Sequence, residues 1–189
     1  GKEYLIETRL RPLLKQYSCS SFKDLYNVAV KDPQKKIEKE IIDAISTNET
    51  YFFRDKNPFE LLKFKIIPDL IDLRSSQRPG YPVNIRIWSA ASSTGQEIYS
   101  VAMILHELGL NNSKQFNIKL TGTDISDAAI AKASYGLYNK FEVARGLTPE
   151  RLRKFFIRQG EDWRVKDEIR SMVKKKKVNL LKPFNSPGK

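Results

Sequence analysis

Two carboxylates in this sequence lie where a carboxylate can meet a ligand. Glu97 follows the small-residue run Ala90, Ala91, Ser92, Ser93, Thr94, Gly95, and Asp124 closes the apolar stretch that begins at Phe116. Each sits just past an alternating or apolar segment that reads as a β-strand, with a helical pattern next. Open parallel sheets bind ligands at the carboxyl ends of their strands, and the first loop there must be small so that backbone and ligand approach closely. Phosphate-binding loops of the GxGxxG or GxxxxGK[ST] kind are absent, and a glutamate opening the helix would repel a pyrophosphate. Glu97 is suited instead to the ammonium of a bound amino acid. Asp124 is placed to accept both hydroxyls of a ribose, through charge-assisted hydrogen bonds worth roughly 1.5 to 3 kcal/mol each. Taken singly, an aspartate after a strand is ordinary turn chemistry and a small-residue loop is ordinary tight packing. Their order along the chain points to a cationic ligand made of a nucleoside joined to an amino acid, which describes S-adenosylmethionine.

A third group stands upstream, in TNETYFFRD, Thr47 to Asp55, where a helical pattern stops. Asn48, Thr50 and Arg54 are polar residues set around Tyr51, Phe52 and Phe53. At least two of the aromatics are expected in the core. Arg54 beside them must be solvated or paired.

The elements that position these residues follow from periodicity. Up to about Ser46 the apolar residues recur at helical spacing, in Leu5, Ile6, Leu10, Leu13, Leu14 and again Ile37, Ile41, Ile42, Ile45, which predicts an all-helical region. Ser20 or Ser21 is the expected cap of a second helix, and Asp32-Pro33 the expected start of a third. Asn57-Pro58 repeats that signal, Pro68 should divide or kink the segment that follows, and Arg74 to Pro82 is the expected linker. Val83, Ile85 and Ile87 then alternate as a strand, followed by a helix through Val101, Ile104, Leu105 and Leu108. Phe116 to Thr123 is a second strand and SDAAIAKAS a second helix. Two such units predict a parallel sheet with right-handed crossovers. From about Tyr135 to Val178 the alternation breaks, with GEDWRV and MVKKKKV as short strands of an expected hairpin insertion.

Composition bounds the partners. The 189 residues carry 40% hydrophobic residues, one cysteine (Cys19), one histidine (His106) and a formal net charge of +12. An internal disulfide is impossible and a zinc-type cluster is not expected. No apolar run reaches the roughly 20 residues of a membrane span, the amino terminus lacks a signal-like apolar region, and a cytoplasmic setting is expected. The positive balance predicts an acidic partner: nucleic acid, an anionic membrane surface or a carboxylate-rich protein.

TNETYFFRD, IWSAASSTGQEIYSVAMIL, TGTDIS and VNLLKPF, in this order and spacing, resemble the chemotaxis receptor methyltransferase family, CheR, over nearly the whole chain. The resemblance implies an α/β protein: a Rossmann-like class I methyltransferase domain, incomplete here, with an all-helical amino-terminal domain and a small antiparallel β-subdomain. The implied divisions are 1–46 for the helical domain, 47–82 for a linking segment with cofactor contacts, and 83–189 for the partial S-adenosylmethionine domain, with the β-subdomain at about 135–178. The implied activity is methyl transfer from S-adenosylmethionine to glutamate side chains in the acidic cytoplasmic helices of chemoreceptors, leaving S-adenosylhomocysteine. Matched residue by residue, it assigns Asn48, Thr50, Arg54, Glu97, Asp124, Asn179 and Leu180 to the cofactor pocket and makes Arg54 the aligning residue of the reaction. Lys175 stands where the family usually has an aromatic, Ile98 where it has proline, and Ser92 where cysteine is frequent.

The basic helices (Arg9, Arg11, Lys15; Lys35, Lys36, Lys39) would meet the acidic receptor, and neither nucleic-acid binding nor membrane insertion is expected. Set against the family pattern, the first helix of the amino-terminal domain and, after Lys189, the next strand with its Arg-Asn and Tyr-containing loop do not occur in this sequence. The sheet is expected to keep an unpaired apolar edge, and these residues alone are expected to bind cofactor weakly and turn over little. Two other readings compete: a nucleic-acid methyltransferase, favoured by charge, which would want a Pro-rich catalytic loop or a cysteine nucleophile near a strand end; and a receptor-binding fragment without activity.

Overall fold

The computed structural model describes residues 3–110 and 114–182. Three helices, α1 (Glu3–Gln16), α2 (Phe22–Lys31) and α3 (Lys36–Ile45), pack around a small core of Leu13, Leu25 and Ile37, with Leu10, Leu14 and Ile41 against it. The Ser21 hydroxyl caps α2 by accepting from the Asp24 N–H at 3.1 Å. At α3 the expected start shifts. Asp32 accepts from the N–H groups of Gln34 and Ile37, both at 3.0 Å, so Asp32-Pro33 forms a turn that caps the helix from outside and helical geometry begins only at Lys36.

The segment after Asp55 is helical throughout: α4 (Lys56–Leu61), a π-helical turn (Leu62–Ile66) and α5 (Ile67–Gln77). Pro68 lies in the first turn of α5, and its ring would crowd the carbonyl four residues back in a regular helix. The wider turn at Leu62–Ile66 accommodates it, so the helix is neither divided nor ended there. Because α5 continues to Gln77, the expected linker shrinks to residues 78–82.

The main sheet has the order β1 (Val83–Ala90), β2 (Phe116–Asp124), β6 (Val173–Lys177), all parallel, with Ala90 beside Thr123 and Asp124 beside Lys177. Helix α6 (Gln96–Glu107) links β1 to β2, and α7 (Asp127–Tyr135) follows β2. A separate antiparallel sheet has the order β3 (Leu137–Tyr138), β5 (Asp162–Val165), β4 (Phe156–Gln159), with α8 (Lys140–Ala144) and α9 (Pro149–Phe155) between β3 and β4. Short helix α10 (Asp167–Arg170) leads back to β6. The MVKKKKV stretch is therefore a strand of the parallel sheet and not part of the hairpin insertion. Its four lysines hide the alternation: Val173 is buried and Lys175 half-buried, while Lys174, Lys176 and Lys177 are exposed. One core joins both sheets. Ile85, Ile98, Tyr99, Met103, Leu105 and Leu120 form its centre, and Phe52, Tyr138, Phe155, Phe156 and Val165 extend it under the antiparallel strands.

Candidate active site

The turn from β1 to α6 is strained in a regular way. Ala91 (φ 55°), Ser93 (φ 50°) and Gly95 (φ 94°) all lie in the left-handed region. Non-glycine residues there cost on the order of 1 to 2 kcal/mol each, and such strain persists only where the surroundings over-determine it. At Gly95 the surroundings are visible, since an added Cβ would lie 2.9 Å from the Cβ of Ala133. Phe53 and Asp55, both at φ 53°, are strained in the same way within TNETYFFRD. The two unusual sequence stretches are thus also the two places where backbone strain concentrates.

Asp124 holds this loop. Its Oδ2 accepts from the Ser93 N–H at 2.8 Å and its Oδ1 from the Ser126 N–H at 3.0 Å. The Ser92 N–H donates to the Thr123 carbonyl at 2.8 Å, and the Val178 N–H to the Asp124 carbonyl at 2.8 Å. The Asp124 side chain is buried, yet each oxygen has accepted one hydrogen bond from these backbone groups and keeps a lone pair. A cleft of about 170 Å³ opens beside it, lined by Ala91, Asp124, Ile125, Val178, Asn179 and Leu180. Asn179 is held in place by its own turn, its Oδ1 accepting from the Leu181 N–H at 2.9 Å. Pro183 and Phe184, which complete the VNLLKPF motif, lie outside the described residues.

Glu97 is on the exposed side of the first turn of α6, where its Oε1 accepts from the Ser89 hydroxyl at 2.8 Å. It does not line the Asp124 cleft: Glu97 stands in the first turn of α6 just after the Ala91–Gly95 loop, and Asp124 at the end of β2. Asn48 reaches the same loop, since its carbonyl accepts from the Ser93 hydroxyl at 3.1 Å. Thr50 is half-buried two residues further along the chain. Below it, Phe52 is fully buried, edge-on to Tyr138 and Phe156 at 5.0 and 5.4 Å, and the Phe53 N–H donates to the Ser100 hydroxyl at 3.0 Å. Two of the three aromatics are therefore core, as expected, and they anchor the polar residues between them.

Arg54 is the residue whose placement differs most from its assignment. Its Nη1 donates to the Glu49 carbonyl at 2.9 Å, its guanidinium carbon lies 5.6 Å from the Tyr51 ring centre, and the side chain remains 48% exposed. It closes a turn of its own segment and lines none of the Asp124 cleft. Apart from Ser93, which belongs to the small-residue run, the neighbours carry no sequence signal that would have singled them out. Ser93 bridges Asn48 to Asp124, Ser89 holds Glu97, and Arg145 pairs with Glu49 at 3.2 Å across 96 residues of chain. A cavity of about 740 Å³ at the amino-terminal ends of β1 and β2, bordered by Tyr81, Asn84, Phe116 and Asn117, is larger than the cleft but far from all of these residues.

Among the described residues no group of three or more His, Cys, Asp or Glu side chains is arranged to hold a metal ion, and no helix is long and apolar enough to cross a membrane. What the geometry defines is an α/β protein with a parallel sheet, whose candidate site residues gather around the carboxyl ends of β1, β2 and β6. Residues 48–189 match the family described as CheR methyltransferase, SAM binding domain. The chain is 38% identical over 192 residues to Chemotaxis protein methyltransferase Cher2 of Pseudomonas putida, covering 100% of this chain and 68% of that protein. Chemotaxis protein methyltransferase 1 of Pseudomonas aeruginosa matches at 38% identity over the same extent, and a protein of the same name from Vibrio cholerae at 36%, with 66% of its length covered. The chain belongs to the CheR methyltransferase family.

Proposed function

We propose that this chain takes part in chemotaxis as an S-adenosylmethionine-dependent methyltransferase whose acceptors are glutamate side chains on the acidic cytoplasmic helices of chemoreceptors, and that it works in the cytoplasm. The observation that carries the reading is Asp124: a buried carboxylate fixed by two backbone N–H groups beside a small cleft that it shares with Asn179 and Leu180. The donor set fits S-adenosylmethionine. Asp124 would take the ribose hydroxyls with its remaining lone pairs, and Ile125, Val178 and Leu180 offer apolar surface to the flat faces of adenine. Glu97, steadied by Ser89, would take the ammonium, and Asn48 and Thr50 would line the side nearest the helical region. When bound, this group supplies an activated methyl on a sulfonium sulfur.

In this reading the chain contributes position and little acid-base chemistry. A glutamate acceptor has a reference pKa of about 4.3 and is ionised at neutral pH, so no general base is required. Alignment of this kind can supply roughly 7 to 11 kcal/mol. Arg54, on its strained segment, would orient the incoming carboxylate after exchanging its hold on the Glu49 carbonyl. We also propose the division into a helical part over 1–46, a connecting segment over 47–82 and a Rossmann-like class I methyltransferase part beyond it. Its antiparallel subdomain begins near Tyr135 and ends before α10.

The test is transfer of labelled methyl from the full-length protein to receptor cytoplasmic fragments. Base-labile label on the fragments is expected, because carboxyl esters hydrolyse in alkali. The net charge of +12 keeps one rival open, and base-stable label on RNA with none on the receptor would favour it.

A further inference from the structure

Two arginine–glutamate pairs in this chain differ in a way that suggests different uses. Arg151 grips Glu107 with two prongs, Nε at 2.7 Å and Nη2 at 3.0 Å, with side chains only 23% and 16% exposed. Arg145 meets Glu49 through Nη2 alone, at 3.2 Å, and its side chain and that of Glu49 are 54% and 60% exposed. The first geometry is built to hold. The second is solvated, single-pronged and easily exchanged.

Arg145 is nevertheless placed with care. It follows α8, and Gly146 after it (φ 92°) is pressed so close to Phe52 that an added Cβ would lie 1.7 Å from the Phe52 carbonyl oxygen. That contact sets the Arg145 guanidinium 4.0 Å from the centre of the Tyr51 ring, the same ring that Arg54 approaches at 5.6 Å. Glu49 ties the two together, giving its backbone carbonyl to Arg54 and its carboxylate to Arg145. The next residue upstream, Asn48, is bonded to Ser93, whose N–H holds Asp124. Glu49 therefore sets its γ-carboxylate on one guanidinium, that of Arg145, and its backbone carbonyl on the other, that of Arg54, beside the loop of the proposed cofactor pocket.

We propose that Arg145 is the receptor for the acceptor's carboxylate, and that the chain's own Glu49 occupies that position until an acceptor glutamate displaces it. This rests on the reading of the acceptor as a glutamate side chain. It makes Arg145 a specificity-determining residue and Glu49 an internal competitor of the substrate's own chemical type.

The alternative is that the pair only staples α8 to the 47–54 segment, and variants of its two members separate the cases. In the full-length protein, methylation of a receptor cytoplasmic fragment is measured together with calorimetric binding of S-adenosylhomocysteine. Arg145→Ala is expected to raise the KM for the fragment about tenfold, with kcat and S-adenosylhomocysteine affinity within about twofold of the parent. Glu49→Gln is expected to lower that KM about two- to threefold, since it removes the competitor and leaves the guanidinium free. Arg145→Lys should recover part of the loss, and with Glu49→Gln it keeps the test available if Arg145→Ala does not fold. A staple would move KM the same way in both variants. That outcome, an unchanged KM in Arg145→Ala, or an equal loss of S-adenosylhomocysteine binding would overturn the proposal. If the parent protein leaves no base-labile label on the fragment, the glutamate reading itself falls, a result distinct from any failure of Arg145 alone.

Discussion

Asp124 illustrates how a single side chain serves structure and ligand together. One of its two backbone hydrogen bonds holds Ser93 in a conformation that serine otherwise avoids, and the other holds Ser126 at the start of α7. Gly146 has the complementary task of letting two backbones touch. Gly146→Ala would force an atom into the Phe52 carbonyl at a positive φ, and we expect it to destabilise the protein by about 2 to 4 kcal/mol in urea unfolding. Because Phe52 and Phe53 anchor the polar residues above them, the same variant should weaken S-adenosylhomocysteine binding even where it is still folded. From sequence, the place of Asp124 at a strand end was legible, whereas Glu97 lies on α6 outside the cleft that Asp124 lines. Arg145 was not legible. Its partner Glu49 is 96 residues away, and no local pattern in FEVARGL distinguishes a site arginine from a solvated one.

Between elements, the strongest polar junction is Glu107 at the end of α6, which receives Arg151 from α9 and Lys63 from the π-helical turn, the latter at 2.7 Å. Burial pushes its carboxyl up, but hydrogen bonds from Arg151 and Lys63, reinforced by their charges, outweigh this and hold the pKa at about 2. The folded value lies below the ordinary 4.5, so this contribution is fully present above about pH 4.5 and is lost as pH falls toward 2. Glu107→Gln is expected to cost about 2 kcal/mol at pH 7 and to make the acid limb of the stability profile shallower. Arg151 also lies 3.9 Å from the Phe53 ring centre, so the junction supports the candidate site from beneath.

Lys175 on β6 shows the opposite sign. Its ammonium is half-buried near the Tyr99 ring and donates to the Arg170 carbonyl at 2.8 Å. Burial, with the nearby Arg170 charge, lowers its pKa to about 8 from 10.5. The folded state then binds fewer protons than the unfolded one between about pH 8 and 10.5, and stability should rise across that window. Lys175→Met is expected to raise Tm by a few degrees at pH 7, with the difference shrinking as pH approaches 10.5. The same residue explains why β6 was read as part of the hairpin region. Polar residues on a parallel strand erase the apolar run by which such strands are usually recognised. Helix α6 and strands β1 and β2, whose apolar residues keep their period, were legible; the π-helical turn, set by packing around Pro68, was not.

The molecule as a whole joins a small three-helix unit with its own core to an α/β body whose two sheets share another. The segment between them, Thr47 to Asp55, belongs to neither regular region and touches the β1–α6 loop and the region after α8. That arrangement brings Asn48 of TNETYFFRD against the β1–α6 loop, where its carbonyl accepts from the Ser93 hydroxyl. The charge of +12 fits the acidic acceptor proposed above, and steering of this kind fades with salt while pocket contacts do not. On the proposed reading, the carboxyl ends of these strands hold S-adenosylmethionine through Asp124. Calorimetric titration of the full-length protein with S-adenosylhomocysteine tests it most directly: the parent should bind, and Asp124→Ala should lose that binding while its unfolding transition remains cooperative. Equal affinity in a folded Asp124→Ala, or no binding by the parent, would contradict the account.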